Sequence, residues 1–340
     1  MKIVIDAMGG DHAPQCVVDG AVEALGEYGD IELILVGKSD VLESMLGEKT
    51  YDKKRLSIVH ASEVIEMEEA TSAIKNKPDS SLVVALNLVK EGKADVILSA
   101  GSTGAVISGA TLILRRIKGI KRPALAPVLP TMKEGVLLID CGASVDTRPE
   151  YLAQFGLMGS IYMNKVMGIA APRVGLINNG AEEGKGNAQT KEAYQRLKEM
   201  NINFVGNVEG RDIASGNYDV LVCDGFVGNV AMKFMEGMGK ALTSMLKEEI
   251  MKGFFSKVAA KLFMGRVFRN FKAKMDYKEY GGALLLGVNG GVIKTHGSAD
   301  ARCIKNTIRQ ARDFIEGDIV GMIKEEIMKM QGEEHGTGEN

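Results

Sequence analysis

Short runs of consecutive apolar residues alternate along the chain with longer stretches in which apolar residues recur every three or four positions. The short runs predict strands at 3–7, 32–36, 96–99, 135–139, 174–177, 203–205 and 220–223. The longer stretches predict helices at 14–27, 81–91, 103–115, 149–165, 188–199 and 229–250, and a further one around 299–328. Strand and helix in alternation imply parallel pairing and a layered α/β fold, with ligands at the carboxyl ends of the strands. Five glycine-rich corners lie where a strand hands over to a helix: "DAMGGDHAP" (6–14), "SAGSTGA" (99–105), "DCGASVDTRPE" (140–150), "NNGAEEGKGN" (178–187) and "CDGFVGN" (223–229). Free N–H groups at such a corner, with a helix dipole behind them, favour a phosphate or a developing oxyanion, although glycine corners also serve simply as tight turns.

The window 96–114 holds nineteen residues without a charge, nearly the length of a membrane span. Its three glycines and five Ser/Thr residues predict a buried strand, a turn and a packed helix instead.

Composition narrows the class. The 340 residues suffice for one large α/β domain or two lobes, and 41 glycines, about 12%, exceed the usual level of about 7%. A net charge of −2 excludes a globally basic nucleic-acid binder. Cys16, Cys141, Cys223 and Cys303 form no C-x-x-C pair and no cluster with His12, His60, His296 or His335, so reduced thiols in a cytosolic protein are expected. Asp6 interrupts the first apolar run too early for a signal-peptide core. Neither G-x-G-x-x-G after the first strand nor a Walker A sequence occurs, which removes the usual warrant for dinucleotide or nucleotide binding. A polar tail is expected over 331–340, after a single catalytic domain spanning 1–330.

In order and wording, "IDAMGGDHAP", "SAGSTGA", "RPALAPVLPT", "PEYLAQFGLMG", "KGN", "NFVGNVEGRDI", "DGFVGNV" and "YGGALLLGVNGGVIKTHGSAD" resemble the PlsX family of acyl carrier protein:phosphate acyltransferases. The resemblance covers nearly the whole chain. It implies transfer of a long-chain acyl group from acyl carrier protein (ACP) to inorganic phosphate, giving acyl phosphate for phospholipid synthesis. It further implies no metal or redox cofactor, a homodimer, and a three-layer α/β fold like that of phosphotransacetylases and isocitrate or isopropylmalate dehydrogenases. Cys141, Ser144 and Ser102 stand where the family more often has Val, Asn and Asn. Two other functions remain open: phosphotransacetylase-like transfer from acyl-CoA, and a non-enzymatic membrane-associated scaffold.

Such chemistry asks mainly for positioning, since phosphate is already an anionic nucleophile. By resemblance, Lys185 and Asn229 are the catalytic candidates, Lys185 as a point charge for phosphate and Asn229 as a donor to the carbonyl oxygen. Read without the family, Lys185 is a solvated surface lysine and Asn229 a helix N-cap. Asp224 is placed to orient either of them. Phosphate or substrate contacts are expected from His12, Gly101, Ser102, Gly104, Gly186, Asn187, Gly228 and His296, the two imidazoles also being able to protonate a leaving thiolate. Cys141 and Cys223 sit at strand ends without a neighbouring base, so direct attack by phosphate is expected over a covalent acyl-cysteine.

Two charged stretches add partners. "RRIKGIKR" places Arg115, Arg116, Lys118, Lys121 and Arg122 within eight residues, a docking surface suited to an acidic helical protein such as ACP. Residues 250–275 carry seven basic side chains, no acid and five phenylalanines. That combination, an insertion at about 250–276, suits a helix lying on an anionic membrane surface, with Phe254, Phe255, Leu262 and Phe263 in contact. A core-packed or dimer-interface helix is the competing reading. The protein is accordingly expected in the cytoplasm, at the inner face of the cell membrane.

Overall fold

The structure is a computed structural model and describes residues 1–252 and 280–336. Two sheets organise it. The first is ordered β3 (Leu56–His60), β2 (Glu32–Gly37), β1 (Lys2–Asp6), β4 (Val96–Ser99), β12 (Gly291–Lys294), β11 (Ala283–Leu286) and β5 (Ala124–Ala126). The second is ordered β6 (Val128–Leu129), β7 (Val136–Ile139), β10 (Val220–Val222), β8 (Val174–Asn178) and β9 (Phe204–Glu209). Pairing from β3 through β12 is parallel, as is that from β7 through β9, while β11, β5 and β6 join antiparallel at the edges.

Parallel strands are covered on both faces, so they read as continuous apolar runs. β4 and β7 are buried at every position. The covering helices are α1 (Gln15–Glu27), α2 (Ser39–Gly47), the short α3 (Ala73–Asn76), α4 (Ser81–Lys90), α5 (Thr103–Ile113), α6 (Pro149–Lys165), α7 (Ala188–Glu199), α8 (Gly225–Lys252), α9 (Ala301–Glu316) and α10 (Ile319–Gly336). Helix α6 starts with Pro149 at its first position, where the missing N–H costs nothing, and buries Phe155, Met158 and Tyr162. One core runs through both sheets: Ile3 and Leu98 of the first share a cluster with Leu137, Ile139 and Val220 of the second.

The segment 96–114 is the expected strand, turn and helix, and no helix among the described residues is long and apolar enough to cross a membrane. The structure departs from the pattern-based expectation in several places. Strands β3, β5, β6, β11 and β12 and helices α2 and α3 go unpredicted. β5 and β6 are three and two residues long and separated only by Pro127, too short for any periodicity to register. The helix expected around 299–328 is two helices, broken at Gly317 and at Asp318, whose φ is +43°. Helix α10 runs to Gly336, into the stretch expected as tail. Helix α8 starts at Gly225, four residues before the expected start at 229. Phe254, Phe255, Leu262 and Phe263, read as membrane contacts, lie outside the described residues.

Candidate active site

The five corners fall into two groups, one at the carboxyl ends of each sheet. In the first group Asp6 ends β1 with its carboxylate buried, accepting from Ser81 Oγ (2.6 Å), Ser99 Oγ (2.7 Å) and Met8 N (3.3 Å). The backbone of 9–11 then lies against 100–101 and 297. A Cβ at Gly9 would fall 2.9 Å from Gly101 N, and Asp11 N donates to Gly297 O at 2.9 Å. Next to β4, Lys294 ends β12 opposite Ser99. Its side chain is buried, with Nζ donating to the carbonyl oxygens of Ala100 (3.4 Å) and Thr295. Burial pushes this amine down to about 8; Lys233 adds to the effect, and Asp6 and Asp11 oppose it. His296 follows, half-buried, its Nδ1 3.2 Å from Ser298 N and 2.9 Å from Ser298 Oγ, and burial lowers its pKa as well.

In the second group Asp140 ends β7, fully buried. One oxygen accepts from Leu125 N (2.8 Å) and Ala143 N (3.1 Å), the other from Ser144 N (2.7 Å). Burial nevertheless pushes its carboxyl up to about 6, the N–H bonds recovering only part of the cost of desolvation. The start of α8 packs onto this corner: Gly225 N donates to Ser144 O (2.9 Å), and a Cβ at Gly228 would lie 1.9 Å from Asp140 O. Glycine at 228 is therefore required by close approach. The corner 178–187 is knitted by two amides. Asn178 Nδ2 donates to Lys185 O (3.2 Å) and Asn207 Oδ1 (3.0 Å), and Asn207 Nδ2 donates to Glu182 O (2.8 Å).

The candidates read from sequence are placed as follows. Lys185 is exposed and its stem runs over Gly180. Asn229 is exposed beside Gly142, in the second turn of α8, so it does not cap that helix. Asp224 supplies the cap instead, its Oδ1 accepting from Val227 N at 2.9 Å. No hydrogen bond among the described residues links Asp224 to Lys185 or Asn229; it faces an open cavity of about 510 Å³ with Thr147, Gln189 and Phe226. Asn187 caps α7, accepting from Thr190 N (2.9 Å), after Gly186 at a φ of +103°. Gly101 N donates to Ser99 Oγ (3.1 Å), Ser102 precedes α5 without a side-chain cap, and Gly104 lies against Thr71. His12 is exposed at its corner. Lys185, Gly186, Asn187, Asp224, Gly228 and Asn229 thus belong to the second group, and His12, Gly101, Ser102, Gly104 and His296 to the first.

Between the groups a second cavity, of about 320 Å³, is walled by Asp11, Lys294 and His296 on one side and by Met232, Lys233 and Glu236 of α8 on the other. Of the candidates read from sequence, only His296 lines it. Sequence reasoning missed Asp6, Asp140 and Lys294. The signal was present: "IVID", "VLLID" and "GVIK" each end an uncharged run on a charge. The cysteines are buried, and desolvation holds Cys141 and Cys223 well above the ordinary thiol range, the opposite of an activated nucleophile. Among the described residues no group of three or more His, Cys, Asp or Glu is arranged to hold a metal ion. Arg115, Arg116, Lys118, Lys121 and Arg122 are all exposed, with Arg116 donating to Lys121 O across the loop and Leu112 exposed beside them.

A family model described as "Fatty acid synthesis protein" matches residues 1–322. A putative phosphate acyltransferase from Clostridium perfringens strain 13 is 50% identical over 331 residues, 97% of each chain. A phosphate acyltransferase from Thermoanaerobacter pseudethanolicus is 50% identical over 334 residues, 98% of this chain and 99% of its own. Among solved structures, a phosphotransacetylase from Streptococcus pyogenes superposes with a TM-score of 0.62 at 18% identity, covering 94% of each chain. A 4-hydroxythreonine-4-phosphate dehydrogenase from Klebsiella pneumoniae does so with a TM-score of 0.53 at 14% identity, covering 92% of this chain and 98% of its own. At these identities the structural likeness shows the fold alone.

Proposed function

Because the chain belongs to the PlsX family of phosphate acyltransferases, and is an acyltransferase, we propose that it carries a long-chain acyl group from acyl-ACP to inorganic phosphate for phospholipid synthesis. The observation that carries this is the 50% identity to phosphate acyltransferases along 97% of both chains. In the reaction an oxygen of hydrogen phosphate attacks the thioester carbon, the C–S bond breaks, and the departing thiolate takes the proton that phosphate gives up. No covalent enzyme intermediate is needed, in keeping with thiols held protonated by burial. Lys185 is assigned to phosphate and Asn229 to the carbonyl oxygen, each exposed on the second group of corners and free to meet a substrate. Asp224, tied to the α8 backbone, fixes the helix start that carries Asn229 rather than acting as a base.

ACP, an acidic partner, is assigned to the exposed loop 115–122, where Leu112 adds an apolar contact to five cations. A second copy of the chain is assigned to α8. Every residue from 241 to 249 is exposed, so the helix stands clear of the body, with Val230, Phe234, Met238, Leu242 and Met245 spaced along one stripe. Such a helix is not stable alone in water, and pairing supplies what holds it. Contact of 250–275 with anionic lipid at the inner membrane face rests on the charge and phenylalanine pattern of the sequence.

The test mixes the protein with phosphate and either palmitoyl-ACP or palmitoyl-CoA, follows free thiol, and traps acyl phosphate with hydroxylamine. Release from the ACP thioester is expected; release from the CoA thioester alone would make the enzyme phosphotransacetylase-like, and none from either would leave a scaffold. Lys185→Ala is expected to abolish release. Reversing charge at Arg115 and Arg116 is expected to raise the KM for acyl-ACP severalfold, less so in high salt.

A further inference from the structure

We propose that the attacking phosphate is held in the cavity between the 294–297 corner and α8, by the ammonium of Lys294 at its floor and by Lys233 at its rim. This places the attacking phosphate at the first group of corners, in place of the contact assigned to Lys185 of the second, and it rests on the acyl transfer to phosphate proposed above.

Burying an ammonium is costly unless a counter-charge or a full set of acceptors compensates it. Lys294 is 7% exposed, and its amine forms no ion pair with a described residue. Its two acceptors, Ala100 O and Thr295 O, are neutral carbonyls. Of the three acids around it, Asp6 and Glu236 are engaged elsewhere. Both oxygens of Asp6 receive hydroxyl protons, from Ser81 and Ser99. Glu236 pairs with Lys233 at 3.4 Å, and Asp11 is exposed at its corner. Cys303, the half-buried His296 and Tyr280, whose phenol pKa is raised by burial, are the other titratable groups near it, with Lys240 of α8 acting on His296. The cation at the floor thus has no anion among the described residues in contact with it, and it lines the cavity.

Size and lining fit an anion whose reaction partner is apolar. The volume corresponds to about ten waters at roughly 30 Å³ each, enough for phosphate and the first carbons of an acyl chain. Leu125, Val128, Leu129 and Met232 provide the apolar wall against which those carbons would lie. Phosphate bound there meets a buried ammonium, where a charge contact is stronger than at the surface. The lowered pKa of Lys294 adds a pH signature. Above about 8 the free protein loses the cation, so phosphate affinity should fall with rising pH.

Titration calorimetry with inorganic phosphate, without acyl donor, compares the wild type with Lys294→Met, which keeps the apolar stem, and Lys294→Arg, which keeps the charge. The methionine variant is expected to bind phosphate at least tenfold more weakly, with no change in affinity above pH 8, while the arginine variant recovers part of the loss. In turnover with saturating acyl donor, the KM for phosphate is expected to rise with that for the donor within about threefold. Equal phosphate affinity of a folded Lys294→Met, or no phosphate binding by the wild type, would overturn the assignment; so would a rise in donor KM alone, which would give the cation to the acyl group. Were neither thioester turned over, the acyltransferase reading would fall while the phosphate titration still decided Lys294.

Discussion

Asp6, Asp140 and Lys294 each close a strand that is otherwise apolar, and each is buried at the point where the sheet ends and a corner begins. A carboxylate there can recruit N–H and O–H donors from neighbouring corners, as both aspartates do. A lysine has only carbonyls to offer itself to, and it is the least satisfied of the three. Its folded pKa of about 8 lies below the ordinary 10.5. The unfolded chain therefore binds more protons between those values, and stability rises with pH across that window. Below about 8 the buried charge costs the fold up to about 3 kcal/mol by the usual conversion of 1.36 kcal/mol per pKa unit, less whatever the two carbonyl contacts return. Lys294→Met is expected to raise the melting temperature at pH 7, with the gain shrinking by pH 10. Calorimetry at both pH values checks this, and a variant less stable at pH 7 would show that the two hydrogen bonds outweigh the desolvation. A stabilising substitution at a cavity residue is the behaviour of a site kept for function.

At the scale of elements, α8 is the piece that links the two groups of corners. Its first turn is fixed to the second sheet by Gly225 and Gly228 against Asp140 and Ser144, and its third and fourth turns present Met232, Lys233 and Glu236 to the cavity. In its far half the residues from 241 to 249 are exposed on every face. Pairing with a second copy through the stripe at Phe234, Leu242 and Met245 predicts that Phe234→Glu with Met245→Glu yields a monomer in light scattering, with the helix content of residues 240–252 reduced. A wild type that is already monomeric at micromolar concentration would remove the stripe from the dimer.

For the whole molecule, the question is how two sheets keep one geometry across the cavity. The chain passes from β5 to β6 at Pro127, and Asp140 clamps that passage: its Oδ1 accepts from Leu125 N while Cys141 N donates back to Leu125 O at 2.8 Å. Asp140→Asn leaves the shape but sets an amide N–H₂ against a backbone N–H, an unsatisfied buried pair worth about 1–3 kcal/mol. The expected outcome is a lower melting temperature, and faster hydrogen exchange at the amides of Leu125, Ala143 and Ser144 than elsewhere in the two sheets. Exchange unchanged at those amides would mean that β-sheet packing, not the carboxylate, holds the passage.

The hydrophobic pattern by itself was enough to locate β1, β2, β4, β7, β8 and β10 and helices α6 and α7 to their ends or within a residue or so, because buried parallel strands and amphipathic helices write their environment into consecutive residues. The order of the glycine corners was enough to indicate the family and the α/β fold. Strands β5 and β6 were not legible, since runs of three and two residues on either side of a proline have no period to read, and β11 and β12 lie in a glycine-rich stretch where β11 takes β5, far away along the chain, as one of its partners. The corners looked alike in sequence, and only the tertiary structure sorted them into two groups, since which strands become neighbours is settled by pairing rather than by local composition. The same holds for function at single residues. Asp224 and Asn187, read as site residues, also cap helices, while Lys294, on a strand the pattern did not show, lines a cavity, because burial and the company of other charges are properties of the fold and not of the residue.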